Sequence, residues 1–407
     1  RGFFSDAFAR MAESFMHNEI TTSATNPEHE VVYLNTQTTN TTVPNYANLA
    51  MLGMNIRSSK AVSQLQQVSV YCNQGIGSTS NFPEVLLDLL TNDRYGTGSV
   101  LNAEQIDTDS FTEATAFCES RRYFFDGVLD SKVNIRSWGA TTANNFLLDL
   151  VIRNGKFALQ PVCDFDNPAN ICQLFTSGNI IKDSFEMSYA DEQDRIPPRV
   201  SIRWRDERPD SEGGLFPVVR QITVREADTS ESAPLESIDI SQYATSEQHA
   251  IDLGKYICRS RRLITHSVSF TTTPTQAALD IGATFKLGME TVTYEQPGNG
   301  AIDANGTVTS WPPLADGTYD VLTWSGKNEC VLPADLTISN GKANLSSCVF
   351  CIRNAVTFEQ TYKCQSIAYN EEGNIAVEAT VYPTNVSGLS LLVQGWDIAK
   401  SWVIEGQ

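Results

Sequence analysis

The chain has 407 residues, of which 41% are hydrophobic, and it carries 29 Lys and Arg against 48 Asp and Glu for a formal charge of −19. That length supports roughly two to four domains with real cores, and no apolar run is long enough for a membrane span. The acidity excludes a protein built to grip nucleic acid, because like charges repel.

Nine cysteines, an odd number in a long chain, do not fit a small secreted disulfide scaffold. They indicate reduced thiols and assembly in a cytoplasm, so sequons such as that at Asn40 carry no glycan. The opening RGFFSDAFAR has no Met and no signal-peptide pattern, which reads as a piece of a longer chain.

In chain order, residues 1–29 are polar and mixed, with one short helix in SDAFARMAESF. VVYLN, LAMLGMNIRSS and QQVSVYC then read as strands up to residue 80. The pattern changes at NFPEVLLDLLTNDRYGTG. Asn81 is placed to cap a helix, Pro83 suits its first turn and Glu84 its positive end. Val85, Leu86, Leu89 and Leu90 repeat at helical spacing, and Gly96 reads as the stop. The pair Gly96-x-Gly98 is not a phosphate loop on this order, since the glycines follow the helix instead of opening one.

A second helix is expected over DTDSFTEATAFCESR, capped by Asp107 or Asp109. The strand YFFDGVL follows, then a third helix from about Thr141 to Arg153 ended by Gly155, then the strand KFALQPV. Residues 81–175 therefore read as an α/β insertion.

From residue 176 to 272, strands return. In SFEMSYA, Phe185, Met187 and Tyr189 share one face; in RVSIRWRDE, Val200, Ile202 and Trp204 do. A helix in EQHAIDLGKYICR is expected behind a capping box of Thr245 and Gln248, followed by the strand LITHSVSFT. Residues 273–384 hold short strands between turns at GNG, DANG, DGT, SNG and EEGN, the spacing of a small barrel or sandwich. Residues 385–407 read as a strand or linker leading elsewhere.

Candidate chemistry is sparse. His17, His29, His249 and His266 show no metal-ligand spacing, and His266 shares a strand face with Ile264, Val268 and Phe270, as a core histidine does. Asp164 and Asp166 precede a proline and fit a turn better than a catalytic pair. Asp303-Ala-Asn-Gly starts like a calcium loop that is then not completed, and Asn-Gly there signals a hairpin. Cys330, Cys348, Cys351 and Cys364 form the tightest thiol cluster. In an extended segment Cys348 and Cys351 point to opposite faces about 10 Å apart, too far for zinc bonds of about 2.3 Å, so free, mostly buried thiols are expected. No catalytic, cofactor-binding or metal residue is assigned, and no cofactor is expected.

The ordered segments NFPEVLLDLLTNDRYGTG, YFFDGVL, LFTSGNIIKDSFEMSYADEQDRIPPRVSIRWRDER, ICRSRRLITHSVSF and YKCQSIAYNEEGNIAVEATVYP resemble the tail-tip hub of long-tailed phages. That is the host-specificity or tip-attachment family, with similar hubs in gene-transfer-agent tails. The resemblance runs over about residues 30–384. It implies a mainly β fold with an α/β insertion. A discontinuous tube-type β domain would span 30–80 and 176–272, with an inserted α/β domain at 81–175 and a small β-barrel at 273–384. An N-terminal segment, 1–29, and a C-terminal strand or linker, 385–407, would flank them, with the family's upstream part and long C-terminal continuation lacking.

The implied role is a non-enzymatic homotrimeric ring in the virion, assembled in the host cytoplasm. It would close the tail tube, contact tube, distal tail and tape-measure proteins and tip fibres or receptor-binding components, and let DNA pass without specific binding. Surplus acids would line its lumen. Two alternatives stay open. A tail-borne cell-wall hydrolase would need two carboxylates brought together by the fold. A carbohydrate-binding adhesion module would show solvent-facing aromatics in a cleft, for which Trp311, Trp324, Trp396 and Trp402 are candidates, although core or subunit contacts explain them better.

Overall fold

The computed structural model describes residues 80–406 apart from 130–131, 192–194, 209–216, 275–278, 290–297, 327–329 and 354–359. These all belong to one compact unit, Asn73–Gln407. The expected segment 1–29 and the strands before residue 80, with His17, His29 and Cys72, lie outside the described residues. The described part is mainly β, as expected, with four α-helices among the described residues.

Helix α1, Phe82–Thr91, buries Phe82, Val85, Leu86, Leu89 and Leu90 on one stripe. It ends at Asn92, earlier than Gly96. The chain instead folds back over its own last turn, where the N–H groups of Gly96 and Gly98 both donate to the Asn92 carbonyl. A Cβ on Gly96 would sit 2.1 Å from the Leu89 carbonyl oxygen and one on Gly98 2.1 Å from that of Thr91. The glycines are there for backbone approach.

Helix α2, Thr108–Arg121, starts at Asp107, whose carboxylate pairs with Arg153 at 2.8 Å instead of capping. The expected strand at YFFDGVL is an extended crossing with a single bridge, Phe125 to Ala244. Its backbone is spent on isolated bonds to Ser80 and Tyr243, while Tyr123 and Phe125 are buried. The third helix is also displaced. Helix α3 is Ile135–Asn145, capped by the Asn134 side chain on Ser137 N–H. The apolar run after it is strand β1, Leu148–Arg153, paired antiparallel with β2, Lys156–Pro161. Asn154 and Gly155 both have positive φ, +51° and +75°, which makes Asn-Gly the hairpin turn.

Three more sheets follow. Strands β3 (Ile171–Thr176), β4 (Glu186–Tyr189), β8 (His266–Thr272), β9 (Thr284–Gly288), β16 (Gln360–Tyr369) and β17 (Ile375–Val381) form one sheet in the order β3-β9-β16-β17-β8-β4. It wraps a core around Phe175, Phe270, Phe285, Tyr362 and Val377, and it joins strands from both sides of residue 272. Phe185 and Met187 pack on this core, but Tyr189 is 47% exposed. The strand carrying His266 begins at that residue; Leu263 and Ile264 still belong to the end of the preceding helix.

Strands β10 (Asn299–Ile302), β11 (Val308–Trp311), β12 (Gly317–Trp324), β13 (Leu332–Ser339), β14 (Lys342–Ala343) and β15 (Cys348–Ile352) form a second six-stranded sheet with its own core. The DANG, SNG and EEGN turns close hairpins with Gly306, Gly341 and Gly373 at positive φ. The expected GNG turn is instead the entry to β10, where buried Asn299 accepts from Ser177 N–H at 2.9 Å.

The fourth sheet has the order β18-β6-β5-β7, from β5 (Arg199–Asp206), β6 (Val218–Glu226), β7 (Leu235–Asp239) and β18 (Trp402–Gly406). Helix α4, Glu247–Leu263, crosses β5 and β6. Its cap is Ser246 on His249 N–H, one residue later than expected; Gln248 instead bonds Asp252. A Cβ on Gly254 would lie 2.9 Å from the Val224 side chain, so the helix and β6 approach as closely as a glycine allows. One hydrophobic core takes in α1 to α3, this sheet, α4 and Trp396 and Trp402 of the C-terminal segment. Residues 385–406 thus dock on the domain and end as an edge strand, with Trp402 paired opposite Glu226.

Candidate functional site

An open groove of about 500 Å³ lies where the end of α2, the loop at Phe165 and Asp166, helix α4 and the C-terminal segment meet. Its floor comes from α4. Asp252 and Lys255, one turn apart on the buried stripe, are 5% and 7% exposed. The Asp252 carboxylate accepts from the Tyr123 hydroxyl at 3.0 Å and from the Gln248 amide at 2.8 Å. Burial nevertheless pushes its pKa up, because desolvation disfavours the charged form. The Lys255 ammonium donates to the Trp396 carbonyl at 2.8 Å and lies 6.0 Å and 5.7 Å from the Trp396 and Trp402 ring centroids. Burial pulls its pKa down.

The walls are charged with both signs. Arg121 stacks 4.0 Å over the Phe165 ring and pairs with the largely exposed Asp166 at 3.4 Å. Arg122 is the left-handed residue that ends α2, with φ +59°. Asp252 and Asp397 both favour the charged form of Lys255, against the larger effect of burial.

The other sequence candidates are scattered. Asp166 lines the groove, but Asp164 does not. The Asp164 N–H donates to the Tyr382 hydroxyl at 2.9 Å, and burial raises its carboxyl pKa. His249 is fully buried between Tyr123 and Phe146, with Nε2 2.7 Å from the Asn145 carbonyl oxygen. Burial lowers its pKa to about 4. His266 is buried against the Tyr362 hydroxyl at 2.9 Å. Asp303 folds its own turn, accepting from the N–H groups of Asn305 and Thr307.

The four cysteines are not brought together. Cys348 packs in the core of the second six-stranded sheet, Cys351 on the opposite face with Leu174 and Trp324, and Cys364 in the first sheet's core, while Cys330 is exposed. Burial pushes the Cys118, Cys163, Cys258 and Cys364 thiols up to about 12, far from the reactive thiolate. Among the described residues no group of three or more His, Cys, Asp or Glu is placed to hold a metal. Of the tryptophans, Trp324, Trp396 and Trp402 are buried and Trp311 is 62% exposed.

Two further buried acids are structural. Asp206 is held by Arg208 at 2.9 Å and Arg220 at 2.6 Å, and the Arg208 bond brings its pKa down to about 2. Glu226 is gripped by Arg259 and by Arg262 at 2.7 Å.

No protein-family model and no curated protein matches the chain. Solved structures that it resembles include a chain in the virion of a native gene transfer agent particle, at 12% identity and a TM-score of 0.41, over 74% of this chain and 47% of that one. A tail protein from Neisseria meningitidis MC58 aligns at 9% identity and a TM-score of 0.29, over 62% and 56%. The 43 kDa tail protein of prophage MuSo2 from Shewanella oneidensis aligns at 11% and 0.27, over 62% and 56%. The chain spans about half the length of these neighbours.

Proposed function

We propose that this chain is a structural subunit of a phage-type tail, acting at the tail tip as the hub that closes the tube. The observation that carries the reading is the order of the five sequence segments that resemble tip-hub proteins. The sequence around Gly96 and Gly98, which has the glycine spacing of a phosphate loop, serves backbone packing in the fold.

The hub reading has specific content. Copies join as a homotrimeric ring through strand edges, which sheets otherwise keep guarded. Among the described residues, β7 and β18 are the two edges of the four-stranded sheet, and they carry the half-exposed Leu235 and Ile404. The ring's neighbours are the tube, distal tail, tape-measure and tip-fibre proteins. Surplus acids face the lumen, so that DNA slides through without sticking. The subunit is not an enzyme in this reading.

The test is oligomeric state and position together. The purified chain is expected to form a trimer by light scattering, and a tagged copy is expected at the distal end of isolated tails. A monomer that labels no tail would overturn the proposal.

A further inference from the structure

The groove beside α4 brings charged side chains of both signs together over the nearly buried Asp252 and Lys255. Lys255 is a buried ammonium with three N–H groups, and among the described residues it has one acceptor, the Trp396 carbonyl. A buried charge left with spare donors costs free energy unless water or a ligand meets them. Asp252, one turn away, accepts one hydrogen bond on each oxygen, whereas an ionised carboxylate has room for about four. The rim adds further donors in Arg122 and Gln248 and a further acceptor in Asp397.

The balance of signs selects the ligand. Arg121, Arg122 and Lys255 face Asp166, Asp252 and Asp397 across the same groove. A phosphate or carboxylate would meet the acids, and an amine would meet the cations. A polyhydroxylated ring suits both, because each hydroxyl donates one hydrogen bond and accepts others. Trp396 is among the lining residues although it is 8% exposed, and its ring is held by an indole N–H bond to the Leu392 carbonyl at 3.0 Å. The volume of about 500 Å³ falls within the usual range for small-molecule sites, about 300–1,000 Å³.

We propose that this groove binds one hexopyranose unit of a neutral saccharide. The site stands on the groove's own chemistry and is independent of where the chain sits in a particle.

The test is saturation-transfer NMR on the full chain with methyl glucoside, methyl galactoside and N-acetylglucosamine as probes, and with acetate and inorganic phosphate as controls. At least one sugar is expected to bind with a dissociation constant on the order of 1 mM. Arg122→Ala, Gln248→Ala and Asp397→Ala change exposed side chains, so they should leave the fold intact by circular dichroism. Each is expected to weaken sugar binding about tenfold, the effect of one lost polar contact. No sugar binding by folded protein, sugar binding that none of the three variants changes, or binding of acetate or phosphate in place of sugar would each overturn the proposal.

Discussion

The Lys255 ammonium donates to the carbonyl of Trp396 from 2.8 Å away, 141 positions along the chain. That bond ties helix α4 to the C-terminal segment, and Arg259 adds a second tie by donating to the Leu391 carbonyl at 3.2 Å. Truncation to Lys255→Ala should leave that carbonyl unpaired at a cost of about 1–3 kcal/mol. Limited proteolysis is expected to cut between residues 385 and 401 in the variant while sparing the parent chain. Equal cutting of both would show that the tie carries no load.

At Gly254 two rules oppose each other. Alanine is the better helix former by about 1 kcal/mol, yet its Cβ would press on Val224 at 2.9 Å. Overpacking of a tight interface costs about 1–3 kcal/mol, so Gly254→Ala should be net destabilising. Chemical denaturation reads this directly, and a stabilised variant would mean that α4 can lift from β6 at no cost.

Gly96 and Gly98 should behave alike for a related reason. Each added methyl meets a backbone carbonyl that belongs to α1 and cannot rotate away. Gly98→Ala is expected to lower the melting temperature by several degrees, as about 1–3 kcal/mol of strain would. An unchanged melting temperature would show that the loop after α1 adapts freely.

Acid should loosen the main core through His249. Its folded-state pKa is lowered by burial to about 4, below the ordinary value of about 6.5. The unfolded chain therefore takes up the proton first as pH falls. Stability is full above about pH 6.5 and declines toward pH 4, by up to about 3 kcal/mol. Asp206, held down to about 2 by Arg208, adds a second loss only below about pH 4, where the unfolded carboxyl protonates. Denaturation midpoints measured at pH 7 and pH 5 should differ in the parent chain and differ less in His249→Gln.

Much of this architecture is legible in the sequence where one face is apolar. The stripe of α1 and the alternation of Val200, Ile202 and Trp204 are both buried where the pattern puts them. Helix α3 escapes because its buried face is Gly139, Thr142 and Ala143, too weak a stripe to outweigh the Leu-rich run behind it. That run is a strand, and the Asn154-Gly155 pair was the signal that separates the two. YFFDGVL has strand composition, but no neighbour pairs along its length, so composition alone could not place it. The groove was invisible for a different reason. Its residues come from four segments that only the fold brings together. Asp252 and Lys255, three apart on one helix, were the one local hint, and charged residues on a helix are usually solvated.

The central claim is a place at the distal end of a tail tube, and electron microscopy of isolated tails carrying a tagged copy of this chain tests it most directly. The account predicts density for the tag in a three-fold ring on the tube axis at the distal tip. Tag density along the tube wall, at the head-proximal end, or nowhere on the particle would contradict it.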